Sequence, residues 1–346
     1  MDKIKIRIDK EDIELLEFMP TFYKVAEITN PLLEKMKQGM KTWTSEEIYK
    51  KMQVSVWVVN DTRVNAFATY YEGKNYIALT VGLCDAFWNA IEDFVGNKNF
   101  SKVFYLTTEK EEDYKKVLYM YMLNFVLAHE FGHIVHGHLW TDSNRKWLEE
   151  LYVDGKMSSA QDNWISQLRE YDADSFAAMI NANIMLKYWN ENIEVLKSTF
   201  DILFIVLYLC FDVFARKTNR DFSQYLEKEW DAYDHPYPGI RMYYSSIALC
   251  NLVLGVKGEN ETTSEVIYHG FNAIISYERQ VLEKEQIRES YFAVAGTEKG
   301  AQHIMNLVNG WNEVVDKYNQ HSYIQISKTD KVEFMPYFIG ENGEFI

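Results

Sequence analysis

His129 and His133 stand four residues apart, with Glu130 beside the first, in the run His129-Glu130-Phe131-Gly132-His133. On an α-helix, residues i and i+4 share a face. Two neutral imidazole nitrogens can then reach one metal ion, and the carboxylate between them can reach a water on that ion. Metal-activated hydrolysis requires this spacing. The plain alternative is a pair of histidines capping a buried helix.

Two imidazoles do not complete such a centre, because catalytic zinc usually takes three protein ligands and keeps one position open. His136 and His138 follow closely. A metzincin pattern needs Gly at 136 and His at 139, where this chain has His136 and Leu139, so that variant is excluded. Glu170 is the better third ligand. It opens Glu170-Tyr171-Asp172-Ala173-Asp174-Ser175-Phe176-Ala177-Ala178. Glu170 and Asp174 share a helix face, and Ala173, Ala177 and Ala178 let that helix approach another closely. One carboxylate can bind the metal while the other accepts the second ring N–H of a ligand histidine and fixes its tautomer. A solvated acidic face is the competing explanation, and Asp172, Glu149, Glu150 and Asp154 are weaker rivals as ligands. Further on, His235 sits between Asp234 and Pro236, with Arg241 six residues beyond. A histidine so held could donate to an oxyanion, or be no more than a surface turn.

The elements that must position these side chains are legible in part. Alternating charge and Ile in 1–10 predicts a strand, followed by helices to about residue 50. Thr44-Ser45-Glu46-Glu47 is a capping box. Strands are predicted at 54–59, 64–70 and 76–80, with turn chemistry at 72–75, forming a small antiparallel sheet. A helix from Leu83 to Val95 follows. A long helix from about Glu112 to His138, apolar on nearly every side in its middle, must lie in a core and carries the histidine pair at its C-terminal end. Residues 141–163 form a polar surface excursion. Helices are predicted at 164–189, 193–217, 222–230, 241–254, 264–290 and 297–318, with strand-like pieces after Tyr323. The chain divides into 1–53, a core of 54–255, and 256–346, packed as one compact unit.

Composition narrows the function. Hydrophobic residues are 47% and aromatics 15%, enough for a sizeable core. The net charge of -15, from 36 basic and 51 acidic residues, argues against nucleic acid and against an acidic membrane surface. Cys84, Cys210 and Cys250 are odd in number and far apart, which predicts buried thiols rather than disulfides or a cysteine metal site. No signal-peptide pattern opens the chain. The most apolar window, 202–211, is about ten residues, against the roughly 20 that a bilayer span needs. These features predict a cytoplasmic protein without a membrane span.

In order along the chain, four groups of residues resemble gluzincin metallopeptidases of the HtpX and CAAX prenyl protease type. Val64-Asn65-Ala66-Phe67-Ala68 with Thr80-Val81-Gly82-Leu83 resembles that family's NAFA strand and following TxGL. His129 to His133 with His138 resembles its HExxHxxxxH helix. Glu170 to Ala178 resembles the third-ligand helix, and His235-Pro236 with Arg241 the HPxxxxR segment. The resemblance implies one zinc ion per chain held by His129, His133 and Glu170, with Glu130 as general base. It further implies that His235 and Arg241 hold the oxyanion or substrate and that Asp174 orients a ligand histidine. The fold it implies is α+β, mostly helical and zincin-like, with a small antiparallel sheet against the active-site helix. Protein or peptide substrates would pair with an exposed edge of the Asn65/Tyr76 hairpin. The family is mostly membrane-embedded, which this chain does not match. A looser resemblance, confined to the zinc helix, is to phage-exclusion peptidases of the Lit type. A regulated defence or toxin protease, or a non-catalytic binding protein on a peptidase fold, is the alternative function.

Overall fold

The computed structural model describes residues 5–8, 11–16, 23–40, 45–71, 73–100, 108–140, 147–149, 160–186, 193–218, 222, 226, 230–340 and 343. Strands β1 (Lys5–Ile8) and β2 (Glu11–Leu16) pair antiparallel. Helix α1 (Tyr23–Met40) and the short α2 (Glu46–Lys51) follow. Ser45 caps α2 by accepting from the Ile48 N–H at 3.3 Å. β3 (Val54–Val59), β4 (Ala66–Tyr71) and β5 (Lys74–Thr80) come next, then α3 (Val81–Val95). The long α4 (Thr108–Val135) is followed by β6 (Trp147–Glu149) and α5 (Ala160–Leu186). The rest is α6 (Ile193–Thr218), α7 (Pro238–Lys257), α8 (Glu261–Ser276) and α9 (Glu298–Asn319).

The sheet order is β1-β2-β3-β5-β4-β6. It is mixed rather than antiparallel, because β3 runs parallel to β5, with Val54 opposite Asn75 and Val59 opposite Thr80. The β4–β5 hairpin fixes those two strands as neighbours, and β3 docks on the other side of β5. The central place thus goes to the strand whose Ile77, Ala78, Leu79 and Thr80 are all buried. Thr80 fastens the arrangement. Its hydroxyl accepts from the Asn65 N–H at 3.0 Å and from the Leu83 N–H at 3.1 Å, joining the start of β4 to the N-terminus of α3.

Two further expectations change at this sheet. The stretch predicted as a loop before α5 contains β6, which pairs antiparallel with β4 from Phe67 to Thr69. The hairpin edge expected to be free for a substrate strand is therefore covered over those residues. The N-terminal region holds a second strand, β2, where only helix was expected, and β2 joins the sheet through Leu15 and Leu16. Glu150, Asp154 and most of the predicted 222–230 helix lie outside the described residues.

Helix α4 is the centre of the molecule. From Tyr121 through Leu139 every residue is buried, as its all-round apolarity requires. It packs against β4, β5, α1, α3, α5 and α6. The α4–α5 crossing is close: a Cβ on Gly132 would lie 3.4 Å from the Ala173 Cα and 3.2 Å from the Phe176 ring. The helix ends sooner than its pattern suggested. Gly137 has φ +76°, a left-handed conformation that breaks the α-helix after Val135 and starts a 3-10 turn at His138.

By length and composition α6 and α7 could each cross a bilayer: Ile193–Arg216 has mean hydropathy 1.9 and Pro238–Lys257 has 1.2. The ten-residue window read from sequence understates α6. Within the protein 67% and 56% of those windows are buried. α6 lies against α8, and α7 against α5. The helix predicted over 264–290 stops earlier, passing through a π-turn at Tyr277–Val281 into irregular chain.

The segment after α9 is extended, and its backbone is held by amide side chains. Asn319 donates to the Ile326 carbonyl at 2.8 Å and accepts its N–H at 2.8 Å. Asn312 makes the same pair with Thr329 at 3.0 and 2.9 Å, and Asn309 with Val332 at 2.8 and 3.0 Å. Each asparagine supplies the donor and acceptor that a neighbouring strand would have given. This accounts for strand-like residues that form no ladder beyond a single Thr297–Ile339 bridge.

Candidate metal centre

α4 brings His129 and His133 to one face, and α5 lays Glu170 opposite them. The two Nε2 atoms are 2.9 Å apart. Glu170 Oε2 is 3.4 Å from His129 Nε2, and its Oε1 is 3.4 Å from His133 Nε2. Ligands about 2.0–2.1 Å from a tetrahedral zinc stand about 3.3 Å from one another, so the spacing suits one ion. All three residues are buried.

Proton bookkeeping gives the stronger reason. His129 Nδ1 lies 2.8 Å from Asp174 Oδ1, and His133 Nδ1 lies 2.8 Å from His138 Nδ1. Asp174 also takes Arg241 Nε on Oδ2 at 2.8 Å, Arg241 Nη2 on Oδ1 at 2.9 Å and the Tyr244 hydroxyl on Oδ2 at 2.5 Å. An ionised carboxylate so surrounded can only accept, so the His129 proton sits on Nδ1. His129 Nε2 therefore turns a lone pair toward Glu170 and His133 Nε2, and His133 Nε2 does the same in the tautomer that donates from Nδ1 to His138. In that tautomer three acceptors face one point, an arrangement that suits a cation. The residues present therefore fit a metal ion of the zinc type.

The electrostatics agree. Burial opposes ionisation of Glu170, but the neighbouring His235 outweighs it, and the carboxyl lies well below the usual range. Burial likewise opposes charge on Asp174, where Arg241 and His129 prevail and the pKa falls. Burial pushes His133 down to about 3, against the pull of Glu170, leaving a neutral imidazole as ligation requires.

α7 begins at Pro238, whose missing N–H suits the first turn of a helix. It carries Arg241 and Tyr244 inward, three residues apart. Arg241 is buried, and its guanidinium bridges the carboxylates: besides Asp174, Nη2 lies 3.1 Å from Glu170 Oε2. His235 Nε2 is 3.7 Å from Glu170 Oε1, and its Nδ1 is 2.9 Å from Asp234 Oδ1. Burial disfavours its charge, yet Glu170 and Asp234 raise its pKa above the ordinary value. Glu130 is buried on α4 beside His129.

The structure thus brings His129, His133, Glu170, Asp174, His235 and Arg241 into one cluster. Tyr244 completes the shell around Asp174 and is not singled out by sequence reading. Its position one helical turn beyond Arg241 was the available signal. His136 does not continue the helical face of His133. It turns away after Val135 and, with His138, meets Asp172. Asp172, weighed from sequence only as a rival ligand, faces this second group.

Residues 28–152 match peptidase family M48. That family includes HtpX and CAAX protease-like zinc metallopeptidases, which indicates a metallopeptidase. No curated protein and no solved structure matches the chain. The matched segment contains His129, Glu130 and His133 and stops before Glu170, Asp174 and His235, whose placement rests on the geometry above.

Proposed function

We propose that the protein is a zinc-dependent metalloendopeptidase acting on protein or peptide substrates in the cytoplasm, without a membrane-spanning segment. The observation that carries this reading is the convergence of His129 Nε2, His133 Nε2 and Glu170 within 3.4 Å, in a chain whose α4 segment matches family M48. A zinc ion bound there supplies a Lewis acid and lowers the pKa of water toward about 7. Glu130 accepts a proton from the attacking water at its carboxylate and returns it to the leaving amine. His235, held by Asp234 and charged more readily than an ordinary histidine, donates from Nε2 to the developing oxyanion. Arg241 bridges the two carboxylates and so holds α7 against them. Because β6 covers β4 at Phe67 to Thr69, a substrate strand that pairs on that edge must displace β6 or bind beyond it.

The test is Glu130→Gln with one zinc ion retained on elemental analysis. Peptide-library cleavage should fall by at least about 100-fold, the low end of what a general base contributes. Hydrolysis at the wild-type rate would refute the assignment.

A further inference from the structure

A second group of possible ligands lies beside the first. His136, His138 and Asp172 are buried, with donor atoms within 4.8 Å of one another. His136 Nδ1 contacts Asp172 Oδ2, and His138 Nε2 is 3.2 Å from the same oxygen. By composition this could be another metal site, and the proton bookkeeping decides against it.

His133 must present Nε2 to the ion, so its proton is on Nδ1. That nitrogen is 2.8 Å from His138 Nδ1, and two nitrogens at this distance share one proton. His138 Nδ1 is therefore the acceptor. A neutral imidazole carries a single proton, which for His138 must be on Nε2, facing Asp172. One nitrogen of His138 is used in accepting and the other carries the proton, 3.2 Å from Asp172 Oδ2, so no lone pair remains for a metal. His136 and Asp172 would be left as two ligands, one fewer than catalytic zinc usually takes from the protein.

We infer that His138 and Asp172 are positioning residues that fix the tautomer and ring orientation of His133 through a His133–His138–Asp172 relay, and that this cluster holds no second metal. The ring of His138 is itself clamped. Trp311 and Tyr318 of α9 meet it edge-on, with centroids 5.7 and 5.0 Å away, and stack on each other at 5.3 Å. His136 supplies Asp172 with a further N–H, so the buried carboxylate is not left with one donor.

The inference rests on the zinc-peptidase reading, and metal binding separates the two. Zinc affinity is measured by chelator competition on the purified full chain for wild type, His138→Ala, His138→Gln and Asp172→Asn, alongside metal stoichiometry, thermal melts and the visible spectrum of the cobalt form. Wild type should bind one zinc. His138→Ala should bind it about 10–100-fold more weakly and alter the cobalt spectrum. His138→Gln, whose amide can accept from His133 and donate to Asp172, should recover most of the affinity. Asp172→Asn should fall between. Unchanged affinity in His138→Ala, with one zinc in wild type, overturns the relay and leaves the peptidase reading standing. Two zinc ions in wild type, reduced to one by His138→Ala, establishes the second metal site instead. No zinc in wild type sinks both. Should His138→Ala fail to fold, His138→Gln and Asp172→Asn decide: wild-type affinity in Asp172→Asn overturns the relay, and weakening there with near-normal affinity in His138→Gln supports it.

Discussion

The two candidate ligand histidines, His129 and His133, stand on one helix and are supported in different ways. Behind His129 the trail is one step long and ends in charge: Asp174 on α5, clasped by Nε and Nη2 of Arg241 and by Tyr244 from α7. Behind His133 it takes two steps and passes through a neutral ring, His138, before reaching Asp172. Burial pushes His138 down to about 4 against the pull of Asp172. At neutral pH it therefore faces Asp172 with a ring nitrogen at 3.2 Å and no charge. Burial also opposes ionisation of Asp172, which its histidine neighbours nevertheless lower. The first support is built between regular helices whose faces already meet. The second needs the chain to leave the helix, at Gly137, and needs α9 to hold the ring. A charge-closed support should be costly to break outright, whereas a neutral relay should lose affinity by degrees.

The largest effect is expected for Asp174→Ala. It strands a buried guanidinium and a buried imidazole N–H, at a cost of about 3–5 kcal/mol, and frees Arg241 to compete for Glu170. Denaturant midpoints and zinc content should both collapse. A variant as stable as wild type would erase the distinction between the two supports. Next comes Gly137→Ala. A Cβ there would lie 2.8 Å from the His321 backbone, at φ +76°, so the cost is about 1–3 kcal/mol. Its signature should be weaker zinc binding, as for the His138 variants, because the turn that aims His138 is lost. Zinc affinity equal to wild type in a folded Gly137→Ala protein would show that the relay tolerates its turn being rebuilt. The smallest effect belongs to Tyr244→Phe, which removes one of four donors to Asp174. A loss of about 1 kcal/mol in the thermal melt, with zinc occupancy kept, is expected. Loss of zinc would mean that the tyrosine, rather than the arginine, holds the carboxylate.

How far these features could be read in advance depends on their range along the chain. The spacing of His129 and His133, the Glu170–Asp174 face and the small residues Ala173, Ala177 and Ala178 are periodic within single helices, so local geometry reveals them. The β4–β5 hairpin is local for the same reason. The sheet order is not, because which strand lies beside β3 depends on burial across the sheet, and β6 offers only three residues. The end of α4 was misplaced because its apolar pattern runs on through His138, while one left-handed glycine decides where the helix stops.

By itself, then, the sequence determined which side chains could share a metal, since four-residue spacing on a helix is a property of the backbone alone. Only the tertiary structure decided what stands behind each candidate ligand. Asp174 with Arg241, and His138 with Asp172, come from distant parts of the chain, and a ring nitrogen's partner is set by packing in three dimensions, which no local pattern encodes.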